Sequence, residues 1–372
     1  MEFTVSKTDL LRELSLSQGV VEKKTTIPIL SNVLIEAAGD RITLTATDLE
    51  LGIRCSCAAR VKKEGSGTVP ARKLLDYVRL LPDADLNMKF LENHWASITC
   101  GRSRTRIAGM SRESFPELPE IPERLAEIPI RTLASMIART SFAISMEESR
   151  FTLNGALLVM RPEGLVMVAT DGHRLAFVQA PPAQSGDVEK QFRALIPKKA
   201  MVELSKLADD TAPEAKAIFA GDDNHLFFEV GHRLLITRRL TGNFPDYERV
   251  LPKDHVLLAQ LQKDEIRSAI ERVAQFADER SRAIRVHFTP GEVRVFSSSV
   301  EMGESEESVP SEYQGPDLEI GFNAQYLLDF LRVIPQDRVA FELKDQKSAG
   351  EMRPAGDSVP DQYRYVVMPM RI

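Results

Sequence analysis

Apolar residues recur at helical spacing six times along the chain. Leu10, Leu11 and Leu14 share one face near the start, and Leu74, Val78 and Leu81 do so after "VPARK". Leu133, Met136 and Ile137 make a third stripe, and Ala200, Leu204 and Leu207 a fourth. Ile266, Ala269, Ile270 and Val273, then Leu327, Phe330, Leu331 and Ile334, keep the full i, i+3, i+4, i+7 pattern. Such stripes predict amphipathic helices that lay one face on a core. Between them run β-branched, alternating segments such as "RITLTATD", "EGLVMVATD" and "GEVRVFSSS", with Gly, Asn and Asp at the turns, which predict strands.

The pattern repeats at the length of a domain. Thr47-Asp48 and Thr170-Asp171 each close a predicted strand, 123 positions apart. "VPARKLLDYV" matches "IPKKAMVEL", with Pro70 and Pro197 127 apart, and Phe115-Pro116 matches Phe244-Pro245 at 129. A duplicated unit of this size leaves room for a third copy in 372 residues. The proline-punctuated runs at 116–129 and 243–254 suit junctions. The expected fold class is α+β: three similar domains, 1–120, 129–250 and 252–372, each with two helices packed on antiparallel sheets.

Composition narrows the class. Hydrophobic content is 43% and charged content 27%, as in a globular chain. No run approaches the roughly 20 apolar residues of a membrane span. The start, "MEFTVSKTDLLRELS", lacks the apolar core of a signal peptide, so a cytoplasmic location is expected. Cys55 and Cys57 are too close for the usual zinc spacings, and with Cys100 they read as structural thiols in a reducing compartment, with no metal. The net charge of −6 argues against a uniformly basic coat but not against a local basic surface.

Such a surface is available on the polar faces of the six helices. Lys7, Arg12, Arg72, Lys73 and Arg79 lie in the first copy; Arg131, Arg139, Lys198, Lys199 and Lys206 in the second. Lys263, Arg267, Arg272 and Arg332 lie in the third. Asp9, Glu13, Asp76, Glu203, Glu265, Glu271 and Asp329 interrupt the pattern, so an ordinary solvated face is the competing reading.

"ATDGHRLA" (169–176) crowds Asp171, His173 and Arg174 around one glycine. An acid–base centre there would need a nucleophile and an oxyanion hole as well. The chain has no G-x-S-x-G, no G-x-G-x-x-G, no P-loop and no H-E-x-x-H motif. An enzyme centred on Asp171 and His173 is thus the weaker reading, and no catalytic residue or cofactor is expected.

The stretches "TIPILSN", "TATDLEL", "VPARKLLD", "ATDGHRLA", "NFPDYERVLP", "IGFNAQYLLD" and the terminal "YVVMPMRI" occur in this order along the whole chain. In them the sequence resembles the bacterial β sliding clamps, the processivity subunit of DNA polymerase III. The resemblance implies the DNA clamp fold and a head-to-tail dimeric ring that encircles duplex DNA. Helix width supports the pairing: six helices side by side leave a hole of only about 10 Å, whereas twelve leave one near 27 Å. Contacts to DNA would be sequence-independent and weakened by salt.

Two charge runs suggest the joint. Arg102, Arg104 and Arg106 lie in the first copy; Glu301, Glu304, Glu306 and Glu307 lie in the third. The resemblance adds Ile107 and Phe276 as apolar partners across it.

For "ATDGHRLA" the resemblance implies a partner-peptide pocket in place of chemistry. Leu153, Thr170, Gly172, His173, Arg174 and Leu175 would form one part, and Pro245, Arg249 and Val250 another. Asn323, Tyr326, Val366, Val367, Met368, Pro369, Met370 and Arg371 would complete it. Arg174 and Arg249 would fix polar ends of an extended peptide, Pro369 would end the last strand, and Met370 would be free to cover the cleft. The implied partners are double-stranded DNA, a second copy of the chain, the DNA polymerase III alpha subunit, the clamp loader, and other clamp-motif proteins such as repair polymerases, ligase and mismatch-repair factors, with no membrane.

DNA contacts implied by the resemblance fall on Lys24, Arg72 and Lys73, with Glu147, Phe151 and Thr152 at the polar and aromatic cluster before "LNG". Lys198 and Lys199 qualify on charge alone. A glutamate facing phosphate is unfavourable, which sets Glu147 apart. The alternative function is a non-catalytic partner-binding scaffold of clamp ancestry that does not close on DNA.

Overall fold

The computed structural model describes residues 1–21, 26–182, 192–356 and 362–371. Six helices of two turns or more form on the six apolar stripes: Lys7–Ser17, Ala71–Leu80, Ile130–Thr140, Lys198–Asp209, Lys263–Val273 and Ala324–Val333. Leu81 and Ile334, expected within helices, stand one residue past their ends and are still buried. The helix Lys263–Val273 shows why the stripe works. Ile266, Ala269, Ile270 and Val273 are buried, while Asp264 and Glu265 occupy its positive end and Arg272 its negative end. Asn323 caps the last helix by accepting from the Gln325 N–H at 2.9 Å.

The chain forms two compact units. The first contains 1–134 and 199–239. It holds a five-stranded antiparallel sheet, in spatial order Arg60–Lys63, Glu2–Ser6, Asp85–Phe90, Trp95–Cys100 and Ser103–Ala108. It also holds an eight-stranded sheet. Four of those strands come from the first copy; the other four are Arg124–Pro129, at the end of the proline-rich junction, Lys216–Gly221, His225–Val230 and Arg233–Arg238. The seam is the antiparallel pair of Arg233–Arg238 with Leu51–Ala58, with Leu235 opposite Ile53. The strand Arg124–Pro129 begins before the expected boundary at 129.

The second unit contains 135–182, 192–198 and 240–371. Its eight-stranded sheet has the same plan: Phe192–Pro197, Gly155–Arg161, Gly164–Thr170 and Arg174–Ala180, then Gln362–Val367, Gly350–Ala355, Arg338–Leu343 and Leu257–Gln262. Here Arg174–Ala180 pairs Gln362–Val367, with Ala176 opposite Tyr365. A four-stranded sheet runs Gly303–Pro310, Glu292–Ser299, Ala283–Thr289 and Leu318–Asn323. Each eight-stranded sheet is thus shared by two successive repeats. The strand Gly164–Thr170, at the middle of one half-sheet, is buried at every position.

One buried ion pair crosses the sequence in the first unit. Glu13, 0% exposed, accepts from Arg233 Nε at 2.9 Å and Nη2 at 2.8 Å. Arg233 Nη1 also donates to the Asp210 carbonyl at 3.2 Å. The sequence pattern placed Glu13 on a solvated helix face, and the structure corrects this. The position is an interior one, held ionised by a guanidinium 220 residues away. Glu203 is likewise buried and pairs with Lys206 at 2.7 Å. Among the described residues no helix is long and apolar enough to cross a membrane.

Candidate functional site

The turn that joins Gly164–Thr170 to Arg174–Ala180 is built by its own polar side chains. Asp171 Oδ1 accepts from the N–H groups of His173 (2.9 Å) and Arg174 (3.0 Å). Thr170 Oγ1 donates to the Arg174 carbonyl at 2.6 Å and accepts from Gly172 N–H at 3.1 Å. Gly172 has φ +90°, a region that favours glycine, and a Cβ there would stand 2.9 Å from Arg150 Nη1.

The first copy repeats this bond for bond. Thr47 Oγ1 donates to the Leu51 carbonyl and accepts from Leu49 N–H, and Asp48 Oδ1 accepts from Glu50 and Leu51 N–H. Leu49 takes the positive φ, +79°. The Thr-Asp landmark is therefore a turn-forming device, used twice.

Arg174 ties this turn to the rest of the second unit. Its Nε meets Asp171 Oδ2 at 3.0 Å, Nη1 meets Asp329 Oδ2 at 2.5 Å, and Nη2 donates to the Phe142 carbonyl at 2.6 Å. The guanidinium lies over the Tyr326 ring, 4.4 Å from its centroid. Its side chain is only 10% exposed. Burial pushes the Tyr365 hydroxyl up, so it remains a donor, to the Tyr326 carbonyl at 2.9 Å. The expectation that Arg174 fixes a peptide end needs correcting: all its nitrogens are engaged within the chain, so its role is to hold the turn, the helix Ala324–Val333 and the Phe142 carbonyl together. Both oxygens of Asp171 are engaged as well.

Above this hub lies an apolar surface. Leu175, Phe177, Tyr247, Leu251 and Val366 form one buried cluster, with Phe244 and Val250 packed on its edge half-open. Leu153 is buried beside the turn of Phe151–Leu153, and Val367 is buried opposite Arg174. His173 is exposed, and its carbonyl accepts from Met368 N–H at 2.9 Å, placing Met368, itself 44% exposed, at the lip. Pro245 and Arg249 are exposed, and Arg249 pairs with Asp246 at 2.8 Å. The last strand ends at Val367, before Pro369. Met370 is not free: its N–H donates to the Gly321 carbonyl at 2.8 Å, which pins the tail beside Asn323, while Arg371 is exposed. Asn323 itself is committed to its helix cap.

Arg150 is the residue the sequence did not suggest. Its Nη1 donates to the Asp171 carbonyl at 2.8 Å and its Nε pairs with Glu147 Oε2 at 2.8 Å. Glu147 is therefore neutralised by a neighbour three residues on, a spacing that a search for partners could have tested. Phe151 is 70% exposed and Thr152 half-buried. Lys198 opens its helix, with Nζ 3.1 Å from Met146 Sδ.

In the first unit Arg72 and Lys73 are exposed on one helix. Arg72 shares Asp76 with Arg79 at 3.9 Å, and Lys73 has no ionic partner among the described residues. Lys199 binds Asp48, so it is less available than its charge suggested. Lys24 lies outside the described residues. In the third copy Arg267 pairs with Asp264, Arg272 with Glu307 and Arg332 with Glu271. The expected basic face thus keeps exposed cations on Ala71–Leu80, whereas Arg267, Arg272 and Arg332 on the third copy's helices are each paired with a carboxylate.

The candidate joint residues occupy two sheet edges, one in each unit. On Ser103–Ala108, Arg104 and Arg106 are exposed on the outer face while Ile107 points inward, 7% exposed; Arg102 is exposed in the preceding turn. On Gly303–Pro310, Glu304 and Glu306 are exposed, as is Glu301 at the hairpin tip. Glu307 points to the other face and is gripped by Arg272 Nε and Nη2 at 2.7 and 2.8 Å. Phe276 is half-buried behind this edge.

His255, Glu342 and Glu351 lie close enough to share a cation. However, Glu351 is already bonded to Arg364 at 2.6 and 2.7 Å and to Arg353 at 2.6 Å, so two guanidinium groups fill that role. The three cysteines are buried thiols, and burial pushes Cys57 up to about 12, which disfavours the reactive thiolate.

Three family models match end to end: the DNA polymerase III beta subunit N-terminal domain over residues 1–119, the central domain over 127–246 and the C-terminal domain over 248–371. A beta sliding clamp from Pseudomonas putida is 37% identical over 381 residues, covering 100% of both chains. The crystal structure of a sliding clamp from Pseudomonas aeruginosa bound to griselimycin matches with TM-score 0.94 at 36% identity, covering 100% of each chain. That of a sliding clamp from Bacillus subtilis matches with TM-score 0.94 at 26% identity, covering 100% of this chain and 99% of that one.

Proposed function

The chain belongs to the DNA polymerase III beta subunit family, the bacterial β sliding clamps, and on that premise we propose how this processivity factor divides its work among its parts. Domains 1–120, 129–250 and 252–372 form half a ring, and two chains complete it head to tail. The edge Ser103–Ala108 of one chain adds to the edge Gly303–Pro310 of the other. Arg104 and Arg106 then meet Glu304 and Glu306 along the seam. Exposed ion pairs are worth only about 0–1 kcal/mol each, so they set register while apolar burial around Phe276 supplies the affinity. The opposite charge of the two open edges is the observation that carries this assembly.

DNA passes through the ring without sequence readout. Arg72, Lys73 and Arg79 offer cations to phosphates, with Lys24 and Lys198 contributing, and Phe151 and Thr152 add apolar and polar contact; Glu147 and Lys199 are held by neighbours. Weak, salt-screened contacts suit a ring retained by topology. The cleft over Leu175, Val250, Val366 and Met368 takes short hydrophobic segments of partners: the polymerase alpha subunit, the clamp loader and other clamp-motif proteins. The chain contributes no bond-breaking chemistry and works in the cytoplasm.

Retention on nicked circular DNA, after loading with the cognate loader and ATP, tests this. Release on linearising the circle is expected. Equal retention on circle and line would refute the closed ring.

A further inference from the structure

The first unit has its own cavity of about 360 Å³ beside the Thr47-Asp48 turn. Thr47, Leu49 and Glu50 form one wall, Pro116 and Leu118 a second, and Ile236 and Arg238 a third. These positions repeat the cleft of the second unit. Thr47, Leu49 and Glu50 stand where Thr170, Gly172 and His173 stand, on turns with the same hydrogen bonds. Pro116 follows Phe115 as Pro245 follows Phe244. The strand register fixes the third wall. Leu51 lies opposite Thr237 as Arg174 lies opposite Val367, so Ile236 and Arg238 take the places of Val366 and Met368.

We propose that this cavity is a second peptide-docking cleft, for a short extended segment carrying an apolar side chain flanked by lysine or arginine. The proposal rests on reading the second unit's cleft as a peptide site. The floor is apolar in both: Leu118 packs on a cluster containing Phe227, Leu234 and Ile236, and Tyr247, at the equivalent position, belongs to the cluster containing Leu175 and Val366. Leu49 adds an apolar lip, 50% exposed, on a residue held at positive φ.

The mouth is more acidic than its counterpart: Glu50 and Glu117 line it with one cation, Arg238, whereas the exposed Arg249 of the second unit is paired with Asp246. Glu50 replaces His173, and Glu120 replaces the exposed Arg249 at the same spacing from the Phe-Pro landmark. Glu117 is 81% exposed, and its bond to Arg112, like that of Glu50 to Arg238, is an exposed pair that an incoming cation can exchange. Leu51 replaces Arg174, so no buried cation lies beneath. Two clefts of one architecture thus differ in charge, the first favouring basic flanks, and they need not compete for the same partners.

Two fluorescein-labelled probes decide this in the full chain: Lys-Leu-Phe-Lys and Asp-Leu-Phe-Asp, followed by anisotropy. The basic probe is expected to bind equally to the intact chain and to one lacking residues 368–372, and to weaken roughly tenfold in Glu50→Lys/Glu117→Lys. Both changes are at exposed positions, so folding is kept. Methyl resonances of Leu49 and Leu118 should shift with the basic probe while that of Leu175 does not. No binding of the basic probe, loss of it on tail deletion, or indifference to the charge reversal would each overturn the proposal. Failure of the second unit's cleft reads separately, as an acidic probe whose affinity ignores the tail deletion.

Discussion

Replacing Arg174 by methionine should destabilise the second unit selectively. Methionine keeps the apolar stem but leaves Asp171 and Asp329 without their counter-charge and the Phe142 carbonyl without its donor. Asp171 and Asp329 are 15% and 19% exposed, so water compensates only in part. Removing one partner of a buried pair costs about 3–5 kcal/mol, and the lost stack on Tyr326 adds about 0.5–2 kcal/mol. Partial exposure places the sum near the lower end, about 3 kcal/mol, or roughly 150-fold in an opening equilibrium. Hydrogen exchange by mass spectrometry reads this directly. Slow amides of Arg174–Ala180 and Ala324–Val333 should exchange roughly 150-fold faster, while those of Leu51–Ala58 in the first unit keep their rates. A change below about threefold would refute the hub. So would an equal loss in both units, because the residue's contacts lie in one. Arg174→Lys should recover less than half, since a point charge cannot span three acceptors.

Other outcomes follow from the same contacts. Burial alone would raise the Glu13 carboxyl, but hydrogen bonds and charge from Arg233 outweigh it and hold the group below its ordinary 4.5. Its folded value lies below its unfolded one, so its contribution is full above about pH 4.5 and fades as pH falls through the folded value. Urea titrations should therefore show first-unit stability dropping below about pH 4.5, and Glu13→Gln should flatten that drop while lowering stability at pH 7. Phe276→Asp should give monomers by light scattering with unchanged circular dichroism; a surviving dimer would remove Phe276 from the joint. Gly172→Ala should cost about 1–2 kcal/mol, because φ +90° and Arg150 both oppose a Cβ, whereas Leu49→Gly should be neutral or stabilising in thermal melts.

The helices were legible because each needs only local information: one apolar face, repeated every turn. The Thr-Asp turns were legible for the same reason, since their bonds close within five residues. What stayed hidden is long-range. Nothing in "LGIRCSCA" names "RLLITR" as its neighbour, so the sharing of sheets between repeats came only with the structure. Glu13 looked solvated because its partner is 220 residues away. Arg174 reads as a ligand-holding residue, since sequence cannot show that Asp329 and the Phe142 carbonyl already occupy it. Glu307 was grouped with its acidic neighbours, yet strand alternation turns it to the opposite face from Glu304 and Glu306.

Sheets shared across repeats set a schedule for synthesis. Leu51–Ala58 is an inner strand of the finished sheet, but its neighbour Arg233–Arg238 leaves the ribosome some 180 residues later. At about 5–20 residues per second, the first half-sheet waits roughly 10–40 s with an unpaired flank. The same wait recurs for Arg174–Ala180 until Gln362–Val367 emerges. During each interval the nascent chain presents a ready template for wrong pairing, with a second nascent copy on the same message as the nearest competitor. A fragment cut at a repeat boundary would carry that unpaired flank permanently.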